Sequence, residues 1–184
     1  LNIDQIGVSP FVVVSYSQKV ITTHLIGLYN ANNVNVAIAI GNYFGIQNEA
    51  IKEALESYIP ENNRSQLITK GTNEIILDAY NANPSSMKVA IENFILLDKN
   101  NKMLFLGDMF ELGDESLYEH KNILDQLRDQ DKIECYFVGK DFYQNKITKS
   151  NFFFFENFEK FSEAVKSKKI DDSLILIKGS RGMA

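Results

Sequence analysis

Residues 75–87 read Ile-Ile-Leu-Asp-Ala-Tyr-Asn-Ala-Asn-Pro-Ser-Ser-Met, and this stretch decides the fold. The apolar residues 75–77 suit a buried parallel strand, and Asp78 falls where such a strand leaves its sheet. Asn83 followed by Pro84 has the pattern of an N-cap with proline at the first helical position. Met87, Ala90, Ile91 and Phe94 then recur at helical spacing. Ligands of open α/β sheets gather beyond the carboxyl ends of the strands, which is where Asp78, Tyr80, Asn81 and Asn83 share one turn. Read alone, a well-capped connecting loop accounts for the same residues, because Asn and Asp favour turns in any case.

Downstream, short apolar runs alternate with helical patterns. Residues 103–106, 133–138, 152–155 and 174–177 read as strands, and 86–97, 117–127 and 158–165 as helices. Such alternation predicts an α/β fold, Rossmann-like, with a mostly parallel sheet covered by helices on both faces. No G-x-G-x-x-G follows any of these strands, which removes the main support for a nicotinamide dehydrogenase.

Upstream, residues 1–23 read as extended structure, with 11–14 the clearest strand and 20–22 its hairpin partner. A helix begins near Asn30 through Val34, Ala37, Ile38, Gly41 and Phe44, with Gly45 as its stop, and residues 47–58 form a second. Pro60 and the polar run 61–65 then break the pattern, which predicts a boundary between a domain of residues 1–63 and one of 64–184.

The 184 residues are 45% hydrophobic, enough for packed cores, and carry a formal net charge of −5. That charge argues against nucleic-acid binding by general phosphate attraction and leaves room only for local cationic sites. No apolar run is long enough to insert in a membrane, no signal peptide is legible, and Cys135 is the single cysteine, so a cytoplasmic protein without disulfides is expected. The chain opens on Leu1 and stops at Ala184 where the pattern predicts a helix start, so a fragment is expected.

Several polar groups carry possible chemistry. Asn30 and Asn33 can present amide donors and acceptors together, as a heterocycle edge such as adenine requires, and capping is the competing explanation. Arg64, in the interdomain run, could reach a phosphate in fork geometry or simply be solvated. The segment 107–113, Gly-Asp-Met-Phe-Glu-Leu-Gly, places Asp108 between glycines that permit close backbone approach. His120 falls on the apolar stripe of its helix and reads as a packed histidine, and His24 stands apart from any metal-ligand pattern. Lys178-Gly179-Ser180-Arg181-Gly182 closes the last strand with two cations and a hydroxyl, an environment for a carboxylate or phosphate.

Taken together, residues 25–30 with Asn33, 60–66, 77–84, 106–113 with Glu119 and His120, and 177–183 resemble the Mur ligases of peptidoglycan synthesis, in the same order along the chain. Asp78-Ala79-Tyr80-Asn81-Ala82-Asn83-Pro84 is similar to the branch that adds D-alanyl-D-alanine to UDP-N-acetylmuramoyl-tripeptide, its sisters having a histidine near Asn81. The resemblance implies the end of a central ATPase domain followed by a Rossmann-like C-terminal domain. It further implies ATP and Mg²⁺ as cofactors, bound mainly by an upstream region whose Gly-Lys-Thr loop, Mg²⁺-binding acids and carbamylated lysine have no counterpart here. It assigns Asn30 and Asn33 to adenine, Asp78 to the ribose and Arg64 to the ATP phosphates. Asn81, Asn83, Asp108, Lys178, Ser180 and Arg181 would line the dipeptide side, with no catalytic residue and no metal ligand in this stretch. A non-catalytic nucleotide-binding module, or another amide ligase such as a folylpolyglutamate synthase, are the alternatives, the latter disfavoured by residues 80–83.

Overall fold

The computed structural model describes residues 3–8, 10–61 and 63–183, with side chains from Ile3 and then from Pro10 onward. The chain divides into two compact units, one of residues 1–61 with 93–97, the other of 62–92 with 98–184. Among the described residues no helix is long and apolar enough to cross a membrane.

The first unit is an antiparallel sheet with two helices. Strands β1 (Ile3–Val8), β2 (Phe11–Tyr16) and β3 (Lys19–Ile26) pair in the order β1-β2-β3. Ser17 and Gln18 both adopt positive φ, 49° and 62°, the two-residue hairpin turn whose twist matches its strands. β2 alternates strictly, burying Val12, Val14 and Tyr16, as a half-covered strand must. Helices α1 (Tyr29–Tyr43) and α2 (Asn48–Ser57) supply Ala31, Val34, Ile38 and Ile51 to the same core. A Cβ at Gly41 would stand 2.9 Å from Ile51 Cδ1, so the helices pack closely there and a larger residue would have to displace the Ile51 side chain. The expected α1 stripe needs correction: Ala37 faces solvent and Phe44 is 73% exposed, while Ala31 is buried in the core.

The second unit is a six-stranded sheet in the order β4-β5-β9-β6-β7-β8. β5 (Asn73–Asp78), β9 (Ser173–Lys178), β6 (Asn101–Gly107), β7 (Ile133–Val138) and β8 (Phe152–Phe155) are all parallel, and β4 (Gln66–Lys70) pairs antiparallel on β5. The helices are α3 (Pro84–Leu96), of which residues 84–92 belong to this unit, α4 (Ser116–Gln126), α5 (Lys140–Gln144) and α6 (Phe158–Lys166). β4 and α5 are additions to the elements legible in the sequence. Parallel strands covered on both faces read as unbroken apolar runs, and β7 and β9 are buried at nearly every position. On one face Phe161 of α6 meets Phe105 and Phe155 edge-on, and Met103, Tyr136 and Ile175 complete that core. On the other, Phe142 of α5 packs on Phe137 and against His120 of α4.

Cys135 lies in β7 with 0% exposure, and burial pushes its thiol up to about 12. A thiol so protonated and covered is inert. We expect a thiol-specific chromogenic reagent to label it only at the rate of global unfolding; rapid labelling of native protein would contradict the packing of β7.

Candidate functional site

The polar residues of the second unit converge where β5, β9 and β6 end. Asp78 and Lys178 are register partners at the last positions of β5 and β9. Lys178 is 3% exposed and donates to Asp78 Oδ2 at 2.6 Å and to the Asn81 carbonyl at 3.3 Å. Asp78 Oδ1 accepts the Ser65 N–H at 3.0 Å and its hydroxyl at 3.3 Å. The pair therefore ties the turn after β5, the end of β9 and the segment before β4 into one piece. Lys178, expected on the substrate side, has its ammonium committed to this internal network instead, because a buried cation requires a partner.

Ser180 is likewise engaged. Its hydroxyl accepts the Phe110 N–H at 2.8 Å and donates to the Ala82 carbonyl at 3.3 Å, and its N–H donates to the Asp108 carbonyl at 3.1 Å. The loops after β5, β6 and β9 are thereby laced together, and a Cβ at Gly179 would stand 3.1 Å from Gly107 Cα. Asn83 caps α3, accepting the Ser86 N–H at 2.8 Å, as its position before Pro84 requires.

Asp108 has a different task from the substrate contact expected of it. Its oxygens accept the N–H groups of Asp141 and Phe142, both at 3.0 Å, at the start of α5. Burial pushes its carboxyl above the ordinary range, against those two donors, which favour the charged form. His120, fully buried, has Nδ1 2.6 Å from the Ser116 carbonyl and Nε2 accepting the Met109 N–H at 3.0 Å. Those partners assign the proton to Nδ1. Ser116 in turn donates to Asp141 at 2.6 Å. Ligand atoms of Asp108, His120 and Asp141 lie within 4.8 Å of one another, with both ring nitrogens hydrogen-bonded and each Asp108 oxygen accepting one backbone N–H. These bonds buttress the 107–113 loop and tie it to the start of α5.

Three side chains remain turned outward. Asn81 is exposed, and Arg64 and Arg181 are exposed around the ring of Tyr80, which is itself 41% exposed. The Arg64 guanidinium carbon lies 3.8 Å from the ring centroid and that of Arg181 5.8 Å. Tyr80 was legible in the sequence as part of the turn and not as the element that gathers both arginines. Ser65, Gly139 and Asp141 were also missed; the Val-Gly-Lys-Asp run 138–141, a strand followed by glycine, was the available signal for the last two.

In the first unit, Asn30 is buried and donates to the Ile26 carbonyl at 2.7 Å, while its Oδ1 accepts from Asn33 Nδ2 at 2.8 Å. The cap position of α1 is Leu28, with no side-chain cap bond, so neither asparagine caps the helix. Asn30 instead holds Asn33, the exposed member of the pair.

Residues 63–181 match the Mur ligase, glutamate ligase domain. Among curated relatives, UDP-N-acetylmuramoyl-tripeptide--D-alanyl-D-alanine ligase of Bacillus subtilis is 37% identical over 86% of this chain and 36% of its own length. The ligase of the same name from Rickettsia prowazekii is 32% identical over 89% of this chain and 37% of its own length. The chain thus spans little more than a third of these relatives. Of solved structures, MurF from Acinetobacter baumannii superposes with a TM-score of 0.79 at 24% identity, over 97% of this chain and 41% of that one. MurF from Thermotoga maritima in complex with ADP does so with a TM-score of 0.75 at 18% identity, over 100% of this chain and 43% of that one. Because the domain match takes in well over half of its residues, including the β5 turn and the end of β9, the chain belongs to the Mur ligase family.

Proposed function

We propose that the chain is the C-terminal part of an ATP-dependent ligase that joins D-alanyl-D-alanine to UDP-N-acetylmuramoyl-tripeptide in the cytoplasm. Residues 1–63 would close its central ATP-binding domain, and 64–184 would form its C-terminal domain. The supporting observation is the outward pair Arg64 and Arg181 beside Asn81, beyond the carboxyl ends of β5 and β9, in a chain whose relatives carry that activity in their names. ATP with Mg²⁺ would supply the phosphoryl group that activates the tripeptide carboxylate for attack by the dipeptide amine. The residues of this chain then orient reactants and balance charge, contributions that need no protein nucleophile. Arg64 faces the phosphates and Arg181 the dipeptide carboxylate, each able to bind its anion with a planar fork. Asn81 offers an amide to the same substrate. Asn33, held by Asn30, faces adenine, and Asp78, still 16% exposed beside Lys178, keeps a lone pair for the ribose.

Arg181→Ala in the full-length ligase tests this reading. Losing a charge-assisted contact of about 1.5–3 kcal/mol should raise the dipeptide KM roughly ten- to hundredfold and leave the KM for ATP nearly unchanged. A change confined to ATP would move Arg181 to the nucleotide side, and no change in either would make it a surface cation.

A further inference from the structure

We infer that Tyr80 is a positioning residue that holds Arg64 and Arg181 as one paired anion site, so that a single ring sets both the phosphate-facing and the carboxylate-facing cation. The assignment of the two anions rests on the ligase reading above; the coupling of the two arginines through the ring does not. Both guanidiniums lie in cation–π range of the same ring, at 3.8 and 5.8 Å. They come from segments far apart in the chain, the one before β4 and the one after β9.

The backbone that carries the ring is tied to both of those segments. Tyr80 N–H donates to the Asn63 carbonyl at 3.1 Å, one residue from Arg64. Asn81 and Ala82 accept from Lys178 and Ser180, both at 3.3 Å, just before Arg181. Among the described residues no carboxylate pairs with either guanidinium, whereas Arg128 is paired with Asp125 at 2.6 Å. Stacking leaves the N–H edges of a guanidinium free for an oxyanion. Two like charges on one ring repel, and an anion between or beside them relieves that repulsion. A chain with a net charge of −5 has thus concentrated two unpaired cations on one exposed aromatic at its strand ends. In an amide ligase the activated carboxylate and the incoming amine must be adjacent, and a shared ring fixes the spacing of the groups that hold them.

The test compares Tyr80→Leu, which removes the ring, with Tyr80→Phe, which keeps it. In the 184-residue chain, the arginine Nε–Hε signals of Arg64 and Arg181 should both carry the ring shift in the parent and in Tyr80→Phe. Both should move to solvent-exposed positions in Tyr80→Leu, with thermal unfolding little changed. In the full-length ligase, Tyr80→Leu should raise the KM for ATP and for the dipeptide together, about three- to tenfold each, with kcat nearly retained and both restored in Tyr80→Phe. A response of only one arginine, no response of either, or a Phe variant as impaired as the Leu variant would overturn the inference. Inactivity of the parent ligase would sink the ligase reading alone, since the arginine signals still decide the role of the ring.

Discussion

Lys178→Met is expected to destabilise the chain by about 3 kcal/mol, the lower end of the range for removing one partner of a buried ion pair. The variant leaves the Asp78 carboxylate with only Ser65 as donor, and the lower end applies because Asp78 keeps 16% exposure and can recruit water. The Asn81 carbonyl loses its donor as well, which loosens the turn after β5. Replacing both charges, as in Asp78→Leu with Lys178→Met, should cost less than Lys178→Met alone, since no charge is then stranded. Urea unfolding of the single and double variants measures both effects. A single-variant loss under about 1 kcal/mol would mean that the pair behaves like a solvated surface bridge. The same coupling governs kinetic tests of the proposed ribose contact: Asp78→Ala would raise the KM for ATP through a displaced turn as well as through any lost hydrogen bond, so its stability has to be measured alongside.

Gly139→Ala should cost on the order of 3 kcal/mol or more, from backbone strain together with donors left unsatisfied. Gly139 adopts φ +130°, and an added Cβ would lie 2.2 Å from the Asp108 carboxyl carbon. The methyl group must therefore push the carboxylate off the Asp141 and Phe142 N–H groups that begin α5. Gly45 is the control, because it too has a positive φ, +71°, but nothing within 4 Å of an added Cβ. Gly45→Ala should cost only the conformational penalty, about 1–2 kcal/mol. Equal losses in the two variants, by the same unfolding measurement, would show that the Asp108 contact is soft.

The parallel sheet was legible because β6, β7 and β9 each carry a short apolar run and are spaced by helical patterns. The cap at Asn83 and the strand exit at Asp78 were legible for equally local reasons. β4 was not, because only Leu67 and Ile68 in Gln66–Lys70 are apolar, and an edge strand needs no buried run. The α1 stripe blurred because Val36, Ile40, Tyr43 and Phe44 add a second, exposed apolar side to the helix. At the site, residue type indicated which groups could bind a ligand and not which were already spent. Lys178, Ser180 and Asp108 are polar and sit at strand ends, yet each is consumed by a partner far away in sequence, while Asn83 is taken up by the cap of its own helix. Such pairings depend on which strands become neighbours, and β9 inserts between β5 and β6 only through the long return of the chain. Tyr80 stayed hidden for the same reason, since it meets Arg181 only once β9 is in place.

The ligase reading is tested most directly by assaying the full-length protein that carries these residues with ATP, Mg²⁺, UDP-N-acetylmuramoyl-tripeptide and D-alanyl-D-alanine, following the product by mass. The expected result is a product heavier than the tripeptide substrate by the dipeptide less one water, with inorganic phosphate released in step. Folded protein that gives no such product, or that releases phosphate only when a folate and glutamate replace the two peptide substrates, would contradict it.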